Sequence, residues 1–304
     1  MGNILATKQD GTQLFPPELT NEMINLVRGK SSLAKLSPSR PIPFRGQTAW
    51  TFTLDKEVDI VAESGAKSNG GATMGQVTIT PVKIEYGTRV SDEFMYASEE
   101  IQLDILRAFA EGFAAKVARG IDIMAFHGVN PRTGSASSVI GTNHFDSKIS
   151  NQVTYVSGSA NDNVSSAIAL VESAEHEVTG MAMAPAFRAA LAAIKSGTNL
   201  NTPLFPELAW GANPDTINGL SVDTNSTVSF GGNDDKAIVG NFRDYFRWGY
   251  AKEIPIEIIQ YGNPDNDAVA GDLKGHNQIY IRGEAYIGWG ILIPAAFARI
   301  GDFQ

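Results

Sequence analysis

The sequence predicts an α+β fold, and three observations carry the prediction. From Thr48 to Ala62, the residues Trp50, Phe52, Leu54, Val58, Ile60 and Ala62 fall on even positions, the period-2 signature of a half-buried strand. From Ser98 to His127, apolar residues recur at helical spacing without interruption. The last third, 237–304, is a series of strand-like runs, including KAIVGNF, EIPIEIIQY and NQIYIRGEAYIGWGIL.

Each element follows from its residues. Residues 1–47 form an N-terminal arm: apolar residues are sparse outside a helical patch at Glu18 to Val27, and Pro38, Pro41 and Pro43 exclude regular structure after it. So thin an arm must lie across a neighbour or its own core. The strand Thr48–Ala62 would reach roughly 50 Å at about 3.3 Å per residue, about twice the common strand length. The turn-rich ESGAKSNGGATMG (63–75) reverses the chain, and a second strand carries Val77 and Ile79, then Val82, Ile84, Tyr86 and Val90. Its phase slips by one residue at Pro81, which predicts a bulge or an edge position. Residues 48–90 therefore read as an extended hairpin with its base strands. A two-stranded ribbon is marginal alone, so it needs another surface, and another subunit is the natural one.

The helix Ser98–His127 has Ser98 to cap it, Glu99 and Glu100 at the positive end of its dipole, and Gly128 to close it. Leu106, Phe109, Ala110, Phe113, Val117, Ile121 and Met124 make its apolar stripe, opposite Asp104, Arg107, Glu111 and Asp122. At 1.5 Å per residue it is roughly 42 Å long, a structural spine. A Gly/Ser/Asn-rich connection (129–162) leads to a helix at 164–176, a short strand near Gly180–Ala184, and a helix opened by Pro185 and closed near Gly197. Residues 198–235 are loop-rich.

Composition narrows the function. The 304 residues include no cysteine, which removes disulfides, thiolate nucleophiles and cysteine-type metal sites. With 33 acidic against 24 basic residues the formal charge is −9, which opposes a face built to grip nucleic-acid phosphates. No signal-peptide layout opens the chain and no apolar run reaches membrane-spanning length, so a soluble cytosolic product is expected. Motifs for catalysis fail one by one. Gly29-Lys30-Ser31 lacks the earlier glycine of a phosphate loop, because Ile24 stands there. Asp265-Asn266-Asp267 lacks the glycine of a calcium loop, with Ala270 in its place, and reads as a solvated turn. His127 and His176 are assigned to helix C-termini, where a positive charge suits the dipole; His144 and His276 lie in polar loops. Neither a cofactor, a metal nor a catalytic residue is expected.

Taken together, the segments resemble the tailed-phage major capsid proteins of the Hong Kong phage capsid fold. LFPPELTNEMINLVRGKSSLAKLSPSRPIP is similar to the family's N-terminal arm, and WTFTLDKEVDIVAESGAK with VTITPVKIEYGTRVSDEFM to its extended hairpin loop. IQLDILRAFAEGFAAKVARGIDIMAFHG is similar to its spine helix, and MAMAPAFRAALAAIKSGTNLNTPLFPE with INGLSVDTN to its axial domain. IVGNFRDYFRWGYAKEIPIEII and IYIRGEAYIGWGILIPAAFARI resemble its return strands. The resemblance implies a peripheral domain at 91–160 plus 245–304 and an axial domain at 161–244. It also implies hexamers and pentamers closing as an icosahedron around double-stranded DNA, with an acidic wall that lets the DNA slide. Localisation would be the virion capsid, with assembly in the host cytoplasm. A portal, a separate scaffolding protein and a decoration protein are the partners to expect, and no cleaved internal scaffold, because Leu14-Phe15-Pro16-Pro17 stands so near Met1. Encapsulin compartments share the fold and are the alternative; an α+β enzyme with a site in the 198–235 loops around Trp210 is a third reading. For contacts between subunits the candidates are Trp50 in the hairpin, Glu63 and Lys67 at its tip, Arg89, Asp92 and Glu93 at its base, and Phe205 and Pro206 near a capsomer axis. Lys67 is read as a solvated lysine rather than a cross-linking one.

Overall fold

A computed structural model describes residues 31–197, 200–232, 235–252 and 256–303. The expected helical patch at 18–27, the Leu14–Pro17 motif and the Gly29-Lys30 pair lie outside these residues. The described chain opens with helix α1 (Ser32–Leu36), strands β1 (Gln47–Leu54), β2 (Ala72–Ile79) and β3 (Val82–Ser91), and the long helix α2 (Glu99–His127). Helix α3 (Phe145–Lys148), β4 (Gln152–Thr154), α4 (Ala160–Ser173), β5 (Gly180–Met183) and α5 (Pro185–Ala192) follow. Next come the small strands β6 (Lys195–Gly197), β7 (Leu200–Pro203), β8 (Thr216–Ile217) and β9 (Leu220–Thr224). Strand β10 (Asp235–Gly240), α6 (Phe242–Tyr245), β11 (Phe246–Lys252), β12 (Ile256–Ile259), β13 (Gln278–Ile291) and β14 (Phe297–Gly301) complete it.

Two larger sheets organise the molecule. In one, β13 carries β3 along one edge and β12 followed by β11 along the other, all antiparallel. The other has six strands in the order β4-β14-β10-β5-β9-β8. Period-2 alternation makes this sheet a wall between two cores. Ala182, Ile238 and Phe297 enter a core shared with α2 and β13, while Met181, Met183, Val239 and Ile300 enter a second core with α4 and α5. The closing strand β14, expected with the peripheral domain, thus lies inside the six-stranded sheet.

The spine helix is close to its expected bounds. Gly128 ends it in the left-handed conformation (φ 67°), donating to the Met124 carbonyl at 3.0 Å. Ser98 occupies the cap position without a side-chain cap bond. Asp122 departs from expectation: it is fully buried rather than on the polar face. Around it Ile121, Ile123, Met124, Ala125 and Phe126 are all buried, so the last turns of α2 are enclosed on every side. The later helices shift as well. The helix expected at 164–176 spans Ala160–Ser173, ended by Glu175 at φ 62°; His176 lies beyond it, edge-on to Tyr245 at 5.2 Å. Helix α5 stops at Ala192, because Lys195–Gly197 pairs antiparallel with Leu200–Pro203 as β6 and β7.

The described part of the arm rests on its own subunit. Leu33 and Ile42 are buried, and Arg40 and Ile42 donate from their backbone N–H groups to the Trp248 and Tyr250 carbonyls at 2.8 and 3.1 Å. The Trp248 indole returns a bond to the Ser37 carbonyl at 3.0 Å. Gly249 is required here, since a Cβ would overlap the Arg40 carbonyl.

Candidate assembly surfaces

The hairpin is shorter than its apolar alternation predicts. β1 and β2 pair over eight residues each, roughly 26 Å at about 3.3 Å per residue. Pairing stops at Leu54 because Asp55, Lys56 and Glu57 are poor strand formers. Asp55 instead closes the ribbon, accepting the Gly71 N–H at 2.6 Å, and Lys56 donates to the Asn69 carbonyl at 2.9 Å. Residues 55–71 are a long irregular tip, with Val58 95% and Ile60 97% exposed. Pro81 is not a bulge: β2 ends at Ile79 paired to β1, and β3 starts at Val82 paired to β13, so the phase slip marks a change of sheet.

The ribbon has two unlike faces. Near the base, odd residues turn to the body, where Ile79 is fully buried over Gly288 and Gly290 of β13. The even face is outward and apolar. Trp50, Phe52 and Leu54 are 64%, 63% and 68% exposed, and Met74, directly opposite Phe52, is 65% exposed. Glu63 and Lys67 stand exposed in the tip, with no ion pair to another described residue.

At the hairpin base, the candidates separate. Arg89 is committed within the chain. Its guanidinium meets the Asp265 carboxylate at 2.6 and 2.8 Å and donates to Asn263 Oδ1, Gln278 Oε1 and the Ala270 and Gly271 carbonyls. That bond from Arg89 lowers the Asp265 carboxyl to about 2. The side chain of Asp267 accepts the N–H groups of Val269 and Ala270. The Asp265–Asp267 stretch is therefore a loop pinned by Arg89 rather than a merely solvated turn. Asp92 is half-buried, 3.7 Å from Lys274, and Glu93 is exposed beside it.

Phe205 is likewise corrected. It is 5% exposed and packs in the second core, because Pro206 starts a short 3₁₀ turn that directs the preceding side chain inward. Pro206 itself is exposed. Trp210 lines no cleft of the kind the enzyme reading needs; its side chain stands in solvent, 104% exposed.

Two buried polar junctions were not foreseen. The first is Asp122, which accepts from the backbone N–H groups of Ser32 (2.9 Å) and Leu33 (3.2 Å), the Ser31 hydroxyl, the Thr227 hydroxyl (3.0 Å) and the Asn225 amide (3.3 Å). It thereby holds the first turn of α1 by its exposed amides. Burial pushes its carboxyl up to about 6, against the downward pull of these hydrogen bonds. Asp223 supports the same helix, accepting from the Ser32 hydroxyl at 2.6 Å and Lys35 at 3.2 Å. The enclosed last turns of α2 were the available sign that Asp122 needed partners.

The second junction joins His127, Asp146, Asp235 and Arg299. His127 Nδ1 meets Asp146 at 2.9 Å and its Nε2 donates to the Thr227 carbonyl at 2.9 Å. Arg299 grips Asp235 through Nε and Nη2 at 3.0–3.2 Å and reaches Asp146 at 2.9 Å. Burial, then the hydrogen bond to Asp146, raises the Asp235 carboxyl. Burial works against the charge on Asp146, but His127, Asp235 and Arg299 outweigh it and hold that carboxyl low. His127 is raised despite burial by its bond to Asp146. Three ligand-type atoms of His127, Asp146 and Asp235 lie within 4.8 Å of one another, yet the Arg299 guanidinium already supplies the positive charge a metal ion would bring. His127 is thus a bonded core residue rather than a solvated helix end.

Comparison with known proteins adds identity to this geometry. The sequence matches the family described as Phage capsid family over residues 11–301. A chain of Mycobacterium phage Ogopogo is 32% identical, with 90% of this chain and 92% of that one covered and a TM-score of 0.76. A chain of Gordonia phage Cozz is 22% identical over 89% and 86% of the two chains, TM-score 0.73. The capsid of an empty GTA particle has the same fold at 13% identity, with 90% of each chain covered and a TM-score of 0.64. A search of curated proteins finds no match.

Proposed function

The chain belongs to the phage capsid family, whose fold it has, and is a major capsid protein of an icosahedral shell; we propose how it assembles. The observation that carries the proposal is the outward face of the hairpin. Burying a large apolar side chain stabilises by about 1.5–3 kcal/mol. With roughly two thirds of each of four such side chains still exposed, docking this face gains about 4–8 kcal/mol before association costs. The hairpin lies across a neighbouring subunit with Trp50 at its centre, and Glu63 and Lys67 form weak tip contacts of about 0–1 kcal/mol each. Asp92, Glu93 and Pro206 are secondary contacts.

Capsomers are hexamers and pentamers, and the two cores correspond to a peripheral and an axial lobe that share the six-stranded sheet. The subunit works by packing and not by catalysis. The acidic balance of −9 suits a wall that packaged double-stranded DNA slides past. Assembly takes place in the host cytoplasm with a separate scaffold and a portal, and a decoration protein coats the finished head. The 32% identity to a mycobacteriophage chain favours this DNA-filled head over a cargo compartment.

Electron microscopy of the protein co-expressed with its scaffolding protein, and purified over a concentration series, tests the reading. Closed shells tens of nanometres across are expected; a folded monomer at every concentration refutes it. Shells packaged in vivo that hold a cargo enzyme in place of DNA refute the phage-head assignment.

A further inference from the structure

The loop Pro206–Gly211 presents Trp210 in an unusual way. Its backbone is left-handed (φ 58°, ψ 25°), a conformation that strains a residue with a bulky side chain, and Gly211 follows at φ 80°. The loop is fastened on three sides. Phe205 and Leu208 are sunk in the second core, the Ala212 N–H meets the Ala209 carbonyl at 3.2 Å, and Arg188 donates to the carbonyls of Gly211 and Ala212. All this restraint holds the largest apolar side chain out in water, 104% exposed, with Leu204 41% exposed and Pro206 exposed in the same stretch.

The surroundings indicate a protein partner. Arg188 is turned to backbone carbonyls and Lys35 to Asp215 at 2.9 Å, so neither cation is aimed at a phosphate. A rigid, exposed indole among apolar neighbours is the usual form of an interface hot spot. In a closed shell of identical copies, such a knob lands on a different patch of the next copy, and each subunit both gives and receives one.

We propose that Trp210 is an inter-subunit anchor, separate from the hairpin, whose partner is a second copy of this chain. This rests on the capsid reading, and the test separates the two. Of the four tryptophans, Trp248 and Trp289 are buried, so quenchable fluorescence comes from Trp50 and Trp210, and the difference between wild type and Trp210→Phe isolates the Trp210 indole. Acrylamide quenching of that indole is compared between free subunits, empty shells and DNA-filled particles. A fall in quenching of roughly threefold or more in empty shells is expected of an indole buried at an interface. The same quenching in shells as in subunits overturns the proposal. Protection only in DNA-filled particles also overturns it, by assigning the contact to DNA.

Trp210→Gly gives an independent reading, because glycine relieves the backbone strain while deleting the indole. The isolated subunit is expected to melt no lower than wild type, yet to need at least about tenfold more protein to form shells. An unchanged assembly threshold refutes the anchor. Failure of the wild-type chain to form any shell even with its scaffolding protein overturns the capsid reading and this proposal with it, whereas shells with an accessible Trp210 overturn this proposal alone.

Discussion

Replacing Asp122 with asparagine should change the pH dependence of subunit stability more than its absolute value. The carboxyl is buried and displaced upward to about 6 from an ordinary 3.8, so the folded subunit binds this proton more tightly than the unfolded chain does. Folding is therefore strengthened as pH falls through about 6, and the gain is complete only below the ordinary value of 3.8. Two units at 1.36 kcal/mol each put the gain at about 3 kcal/mol. Asparagine carries no charge to desolvate. Its oxygen still accepts from Ser32 or Leu33, and its amide turns to the Thr227 hydroxyl, which can accept. Wild type minus Asp122→Asn thus isolates the Asp122 contribution from that of Asp235, which shifts in the same direction. Urea unfolding of unassembled subunits, followed by the fluorescence of buried Trp248 and Trp289, measures it. The difference should move in favour of wild type by about 2 kcal/mol between pH 7.5 and 4.5, the rest of the gain coming at lower pH. A flat difference over that range refutes the account of Asp122 as a buried, desolvated carboxylate.

Other substitutions probe the remaining features. Trp50→Ser with Phe52→Ser should leave the subunit's melting temperature within about 1–2 °C, since both side chains face water, while abolishing shells in electron micrographs; normal shells would refute the role of the hairpin. Gly128→Ala combines a left-handed backbone with a Cβ that overlaps the His144 ring, and should cost about 2–4 kcal/mol in urea denaturation. Arg89→Ala removes the support of the 263–271 loop; hydrogen exchange of that loop should accelerate at least about tenfold, with the β13 core unaffected. Below pH 4 the low-lying Asp146 carboxyl takes up its proton and its contribution is lost, so stability measured by thermal melting should pass through a maximum between about pH 4 and 6.

The parts legible in the sequence were those set by local pattern. The spine helix was readable from one continuous stripe and a glycine stop, and the ribbon from the even positions of Trp50, Phe52 and Leu54. Alternation alone over-read the strand to Ala62, because Val58 and Ile60 keep the period while Asp55 uses its carboxylate to close the ribbon at Gly71. Phe205 looked like a loop-tip aromatic, yet the turn begun by Pro206 sends it inward and Trp210 outward. Arg89 and Asp265 both stand in conspicuous polar segments, but their pairing spans a separation of 176 residues that no local pattern encodes. The His127–Asp146–Asp235–Arg299 junction was invisible for the same reason, as its members come from α2, α3, β10 and β14.

The position of β14 has a consequence for biosynthesis. Lying between β4 and β10, it is an interior strand, and both of its neighbours are made before it. Until residues 297–301 leave the ribosome, both flanking edges stay open, Asp235 lacks its guanidinium, and neither core is closed on that side. Nascent chains therefore carry an unfinished sheet from the synthesis of β4 until β14 emerges. A nascent subunit that still lacks β14 cannot nucleate a shell, so assembly waits on that one strand.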